Sequence, residues 1–304
     1  MPNSAVQPSP RPLRLLIVDG HAYAYRSFHA IAGLSAPDGT PTNAIFGFIK
    51  ALGRMRGLLQ PDFVAVIWDG GLARERVAAL PGYKSQRPPM PIDLRSQFDG
   101  LNAYLAAVGV AWFREEGVEA DDWIAVMAQR AVAQGVDVVI ASSDKDFMQL
   151  VSPQIGLLNP NDKSETIWHE EQVHAKAGVA PEQIVDWLSL VGDAVDNIPG
   201  VPGVGRKTAS GWLKQFGSVE TIYARLAEVK PERLRGALRA AEDHVRRNQG
   251  LIRLRDDLPL DVPVEKLRVG SGDPALLGEL YQRWGFRTLL ERLQPDCVQQ
   301  GELL

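Results

Sequence analysis

Three stretches of almost uninterrupted apolar residues stand out along the chain: 13–18 (LRLLIV), 63–68 (FVAVIW) and 136–141 (VDVVIA). Each runs directly into acidic and turn-forming residues. The first meets Asp19-Gly20 and the second Asp69-Gly70-Gly71; the third passes through Ser142 and Ser143 into Asp144-Lys145-Asp146. Short apolar runs bounded by turn formers predict strands buried on both faces, as in a parallel sheet. Between them, apolar positions recur at helical spacing over 22–32, 44–59 and 121–134. Strand–helix alternation implies an α/β fold, a parallel sheet with helices on both faces. Ligands of such sheets bind outside the carboxyl ends of the strands. The acids that end these three strands are therefore expected to gather along one edge.

From about residue 181 the pattern changes to short helices punctuated by glycine and proline, most densely at 200–205 (GVPGVG). Residues 225–255 are rich in arginine, including Arg233, Arg235, Arg239, Arg246, Arg247, Arg253 and Arg255. This predicts a smaller helical region packed on the sheet. Residues 1–12 carry four prolines and no apolar run, and read as a flexible tail. The chain's beginning at Met1 and its tail-like end suggest a free-standing protein.

Composition narrows the classes. With 45% hydrophobic and 23% charged residues, the 304-residue chain resembles an ordinary globular protein. Its one cysteine, Cys297, excludes a disulfide framework or a cysteine zinc site and fits a reducing cytoplasm. No apolar run approaches the ~20 residues that would cross a bilayer. The net charge of −4 argues against a nucleic-acid partner only until the acids are sorted. Setting aside nine clustered carboxylates leaves a mildly basic body, compatible with DNA once cations neutralise the acidic pocket.

Those nine are Asp19, Asp69, Asp144 and Asp146 at strand ends; Glu119, Asp121 and Asp122 opening the helix after Gly117-Val118; and Asp193 and Asp196. The last two, spaced i, i+3, are expected on one helical face. Singly, each reads as a helix N-terminal acid or a turn aspartate. Crowded at one sheet edge, they demand positive charge. Carboxylate donors select hard cations, Mg²⁺ or Mn²⁺. Two such ions ~4 Å apart suit phosphodiester hydrolysis. The segment 200–209 (GVPGVGRKTA) predicts a tight turn whose backbone N–H groups face a phosphate, with Lys207 and Thr208 beside Gly200, Gly203 and Gly205. In 83–91 (YKSQRPPMP), Tyr83, Lys84 and Arg87 form a basic stretch suited to a phosphate or to a solvated loop, and Tyr25 and Arg26 are similarly open. Trp68, Trp112, Trp123, Trp187 and Trp212 sit in apolar contexts and are expected in the core. The five histidines show no metal-ligand spacing, and no chemistry is assigned to them.

Five motifs in order, VDG at 18–20, YKSQRPPMP from 83, GVEADD at 117–122, SSDKDFMQLV from 142 and GDAVDNIPGVPGVGRKTA from 192, closely resemble the bacterial 5′-nuclease family, the 5′-3′ exonuclease and flap endonuclease domain of the DNA polymerase I type. The resemblance spans about 13–293. It implies a PIN-like, or resolvase-like, domain over 13–180 with a helical arch near 80–100. A helical DNA-binding region over 181–293 would follow, with a helix–three-turn–helix at 192–215, and 294–304 would form a tail. One cation would be held mainly by Asp19, Asp69, Glu119, Asp121 and Asp122, the other by Asp144, Asp146, Asp193 and Asp196. Lys84 and Arg87 would steer the scissile phosphate and stabilise developing charge. The 200–208 turn would grip duplex DNA and hold a K⁺.

One departure is the segment after Asp69, which lacks the lysine that often precedes the family's arginine, leaving Arg74 and Arg76 as candidate DNA contacts. The implied activity is hydrolysis at 5′ flaps, nicks and 5′ ends of DNA in replication and repair. RNA–DNA hybrids are further substrates; the protein would be a monomer working beside a polymerase and a ligase at the bacterial nucleoid. Three competitors are weaker. A PIN-type ribonuclease would not need the 200–208 turn, a haloacid-dehalogenase phosphatase needs an aspartate where His21 stands, and a DNA-binding protein without catalysis would not need intact acids.

Overall fold

A computed structural model describes residues 11–162, 164–259 and 262–293. Most of the expected N-terminal tail, and the 294–304 tail with Cys297, lie outside the described residues. A six-stranded sheet forms from β1 (Arg14–Asp19), β2 (Phe63–Ile67), β3 (Ala111–Phe113), β4 (Asp137–Ala141), β5 (Ile155–Leu158) and β6 (Ile167–Trp168), in the order β3-β2-β1-β4-β5-β6. All neighbours are parallel except β5 and β6. The three apolar runs of the sequence are the three central strands.

Strand alternation divides the core in two. Leu15 and Ile17 of β1 face one apolar layer, with Ile124, Ala128, Trp187 and Leu213. Leu16 and Val18 face the other, with Phe48, Leu52, Tyr104 and Trp284. The helices Asn43–Leu59 and Phe98–Ala107 cover the second face, and Ala120–Ala133 covers the first. The C-terminal half contributes to both layers. Helices Ile184–Val191, Arg206–Phe216 and Glu242–Ile252 extend the first, whereas Pro274–Trp284 crosses back to pack beside Phe98–Ala107. An isolated bridge from Phe63 to Arg268 ties that return to the sheet.

Trp68, Trp123, Trp187 and Trp212 are buried as expected. Trp112 is the exception, 39% exposed on the short edge strand β3. Among the described residues, no helix is long and apolar enough to cross a membrane.

Candidate active site

The sheet order reverses direction between β1 and β4, and a cleft opens beyond the carboxyl ends of these strands, where such sheets take their ligands. The cleft has a volume of about 810 Å³. Asp19, Asp69, Asp121, Asp144, Asp193 and Asp196 line it, together with Tyr25, Arg26, Arg87 and Lys145. Register explains the first three strand-end acids. Asp19 pairs with Ile67, two residues before Asp69, and Val18 pairs with Ala141, three before Asp144.

Each aspartate is aimed by its own turn. Asp19 caps the Gly20–Ala30 helix: its Oδ1 accepts from the Ala22 N–H at 3.0 Å, and its Oδ2 accepts from the Ser142 hydroxyl at 2.8 Å. Asp69 Oδ1 accepts from the Gly71 N–H at 2.7 Å, and Asp144 Oδ1 from the Asp146 N–H at 2.9 Å. The capping and turn roles available to single acids are thus real, and each leaves carboxylate oxygen for the cleft. Gly70 matters for a steric reason: a Cβ there would lie 1.6 Å from the Glu115 carbonyl oxygen, so only glycine lets the Asp69 turn meet the segment leading to Glu119.

Asp193 and Asp196 are brought together, but not on a helix. The Ile184–Val191 helix ends at Gly192 (φ 81°), and Gly192–Asp193 pairs with Ile198–Pro199 as a short hairpin of two-residue strands. Gly192 and Gly200 pack backbone to backbone; a Cβ on Gly200 would sit 2.1 Å from the Val191 carbonyl oxygen. The i, i+3 spacing fits the hairpin turn as well as a helix, and the glycines decide for the turn. Carboxylate oxygens of Asp146, Asp193 and Asp196 all lie within 4.8 Å of one another. Among the described residues, Asp146 Oδ1 is buried with no hydrogen-bond donor. Three converging hard oxygen donors, one of them unsatisfied, fit a hard divalent cation.

Electrostatics report the same crowding. Burial, with the charges of Asp144 and Asp69, pushes the Asp19 carboxyl up to about 6 against the hydrogen bonds from Ala22 and Ser142. Burial also lifts Asp121, to which Asp144 and Asp19 add, and Asp146, to which Asp144 and Asp193 add. The basic residues answer them. Arg87 Nη2 lies 2.6 Å from Asp196 Oδ1 at the cleft, and Lys145 Nζ bonds Asp193 and stands 3.9 Å from Asp146 Oδ1.

Other expected residues lie elsewhere. Lys84 is buried behind the cleft, its ammonium bonded to Glu119 and 3.7 and 3.8 Å from Asp121 and Asp196. Burial works against that charge, but Asp121, Glu119 and Asp196 outweigh it and hold Lys84 above its ordinary pKa. Glu119 is fully buried. It accepts from the Ala73 N–H at 3.1 Å and the Tyr83 hydroxyl at 3.1 Å, and Arg76 lies 3.2 Å away. Asp122 points away from the cleft into a bidentate pair with Arg76, both bonds 2.7 Å. Tyr83 and Arg76, expected at DNA, are therefore interior side chains; their hydroxyl and guanidinium are taken up by buried carboxylates. Arg74 is exposed on the short Arg74–Ala79 helix. Gly200, Gly203 and Gly205 occupy the turn into the Arg206–Phe216 helix, whose N-cap is Gly205, and Lys207 and Thr208 stand in that helix's first turn; all five lie outside the carboxylate cleft.

Sequence reasoning passed over three contributors. Lys145 stands between two expected ligands, so its position was a usable signal. Ser142 lies directly after β4 and holds Asp19. His21 gave no signal: its Nδ1 accepts from the Asp69 N–H at 3.0 Å, and its ring packs on Trp68 and Phe98.

Family models match this chain over most of its length. Residues 14–178 match the 5′-3′ exonuclease N-terminal resolvase-like domain, and residues 179–275 match the 5′-3′ exonuclease C-terminal SAM fold. The chain belongs to the 5′-3′ exonuclease family. As a family member it is 36% identical over 288 residues to a 5′-3′ exonuclease of Aquifex aeolicus, covering 95% of this chain and 98% of that one. It is 38% identical over 295 residues to DNA polymerase I of Pseudomonas aeruginosa, covering 95% of this chain but 32% of that protein. The chain thus spans about a third of the length of the DNA polymerase I relatives it matches. Its fold is also that of the bacteriophage T5 flap endonuclease, solved as a pseudo-enzyme-product complex with DNA and metal ions, at a TM-score of 0.66 and 21% identity, with 94% of this chain and 98% of that one covered.

Proposed function

We propose that this chain hydrolyses phosphodiester bonds at 5′ flaps, nicks and 5′ ends of DNA, using two divalent cations. The observation that carries this reading is the meeting of six aspartates, from five separated segments, in one cleft rimmed by Arg26, Arg87 and Lys145. The donor set fits Mg²⁺ or Mn²⁺: oxygen only, crowded, and with one buried oxygen unsatisfied. Asp19, Asp69, Asp121 and Asp144 would hold one ion, and Asp146, Asp193 and Asp196 the other. Bound there, the pair would stabilise charge on the attacking and leaving oxygens of the phosphodiester.

The chain's own residues would do the rest. Arg87, at the cleft, would orient the scissile phosphate, and Lys84 behind it would supply fixed positive charge, both acting where charge develops. Tyr25 and Arg26, about two helical turns beyond Asp19, offer an aromatic face and a guanidinium to the strand. Arg74 and the 200–208 turn with Lys207 and Thr208 would contact backbone phosphates; backbone carbonyls of that turn would hold a K⁺. Contacts of this kind recognise structure over base sequence. We extend the reading to RNA–DNA hybrids. In the bacterial cytoplasm a monomer would act at the nucleoid beside a polymerase and a ligase, a pairing suggested by the DNA polymerase I relatives. Residues 13–180 would form the nuclease unit, with its arch near 80–100, and 181–293 the DNA-gripping unit.

A gel assay with 5′-labelled flap, nicked and blunt duplexes tests this. Cleavage near the flap junction is expected with Mg²⁺ and none with EDTA. Binding of flap DNA without any cleavage in Mg²⁺ or Mn²⁺ would leave a DNA-binding protein instead of an enzyme.

A further inference from the structure

Two adjacent acids, Asp121 and Asp122, open the Ala120–Ala133 helix, and consecutive helical residues project about 100° apart. Asp121 is the one that lines the cleft. Asp122 turns into the interior, 1% exposed, where both its oxygens are taken by the Arg76 guanidinium. That guanidinium is committed in every direction. Its Nε donates to the Leu251 carbonyl at 3.0 Å, its Nη2 to the Arg253 carbonyl at 3.2 Å, and its Nη1 lies 3.2 Å from Glu119 Oε1. The Arg255 N–H donates to Asp122 Oδ1 at 2.9 Å, so the chain after the Glu242–Ile252 helix is bonded to both members of the pair. The other Glu119 oxygen carries the Lys84 ammonium.

We propose that Asp122 and Arg76 are positioning residues, and neither a cation ligand nor a DNA contact. Together they buckle the 251–255 segment of the C-terminal half onto the nuclease sheet and, through Glu119, fix the ammonium of Lys84 behind the cleft. Glu119 belongs to this chain of charges too: surrounded by Lys84, Arg76, Tyr83 and the Ala73 N–H, it has no oxygen left for a cation. The arrangement alternates in sign, Asp122–Arg76–Glu119–Lys84, and ends 3.7 Å from Asp121 and 3.8 Å from Asp196, the cleft acids on either side of Lys84. A buried charge that loses its partner is costly, so the chain holds only as a whole. The role at Lys84 rests on the two-cation nuclease reading; the buckle itself does not.

Three readouts on the full chain test this. In a Mn²⁺ titration followed by electron paramagnetic resonance, Asp122→Asn should bind as many ions per chain as the unsubstituted protein, whereas Asp121→Asn should bind one fewer. Loss of an ion in Asp122→Asn would overturn the assignment. By hydrogen exchange without metal, Asp122→Asn and the milder Arg76→Lys should both expose amides of 251–255 faster than the rest of the C-terminal half. Unchanged protection there would overturn the buckle, whatever the protein's activity. On flap DNA, Arg76→Lys should lower kcat roughly 10- to 100-fold at little-changed KM, the scale of an approximately 1 Å misplacement. In a Lys84→Met background the same substitution should cost almost nothing more. Full additivity of the two losses would mean that Arg76 acts on stability alone.

Discussion

Arg87 Nη2 meets Asp196 Oδ1 at 2.6 Å, joining the turn after the Arg74–Ala79 helix to the 192–199 hairpin across the mouth of the cleft. Burial raises the Asp196 carboxyl above its ordinary value while Lys84 and Arg87 oppose that rise, and the pair holds a guanidinium where a phosphate would enter. Replacing Arg87 by alanine should lower kcat on 5′-flap DNA by about 10²- to 10³-fold, the usual cost of removing one donor aimed at developing charge. Steady-state kinetics at saturating Mg²⁺ checks this, and a change confined to KM would restrict Arg87 to ground-state binding.

The cleft acids should separate binding from chemistry. Asp19→Ala or Asp144→Ala is expected to abolish flap cleavage while largely sparing DNA affinity, measured by fluorescence anisotropy. Undiminished turnover in both variants would contradict their assignment.

Metal-free stability should depend on pH in a particular sense. The Asp19 carboxyl, ordinarily near 3.8, stands at about 6 in the folded protein, and Asp121 and Asp146 are raised as well. A folded group that holds its proton more tightly than the unfolded chain contributes fully below the unfolded value and loses that contribution as pH rises through the folded one. Without metal, the melting temperature should therefore fall between pH 5 and pH 7. Mg²⁺, which binds the ionised carboxylates, should raise it more at pH 7 than at pH 5. Scanning calorimetry in EDTA and in Mg²⁺ gives both curves, and an equal Mg²⁺ shift at both values would refute the linkage.

Gly200→Ala should destabilise the protein by about 1–3 kcal/mol, since its Cβ would overlap the Val191 carbonyl and force the hairpin open. Urea unfolding measures it. Because the hairpin aims Asp193, Mn²⁺ affinity should weaken in parallel.

On the 200–208 turn, Lys207→Ala should weaken binding to all duplexes about equally and reduce the slope of log affinity against log salt by roughly 1, as expected for one lost phosphate contact. A sequence-dependent loss would point to base contact instead.

Much of this site could be read from the amino-acid sequence, because the strands are uniformly apolar and stop at acids; Asp19, Asp69 and Asp144 follow directly from sheet topology. What could not be read is instructive. The spacing of Asp193 and Asp196 suits a helix or a turn, and only the backbone contact of Gly192 with Gly200 decides between them. Asp121 and Asp122 look equivalent in the sequence, but Asp121 lines the cleft while Asp122, about 100° round the helix, pairs with Arg76. Arg76 finds carbonyl partners at Leu251 and Arg253, contacts too distant along the chain for any local pattern to carry. His21 acts on the Asp69 backbone, which leaves no trace in ligand spacing.

The most direct measurement is the anomalous scattering of Mn²⁺ in crystals of the protein. Two peaks are predicted in the cleft, one among Asp19, Asp69, Asp121 and Asp144 and one among Asp146, Asp193 and Asp196. No peak at either place in Mn²⁺-saturated crystals would contradict the account.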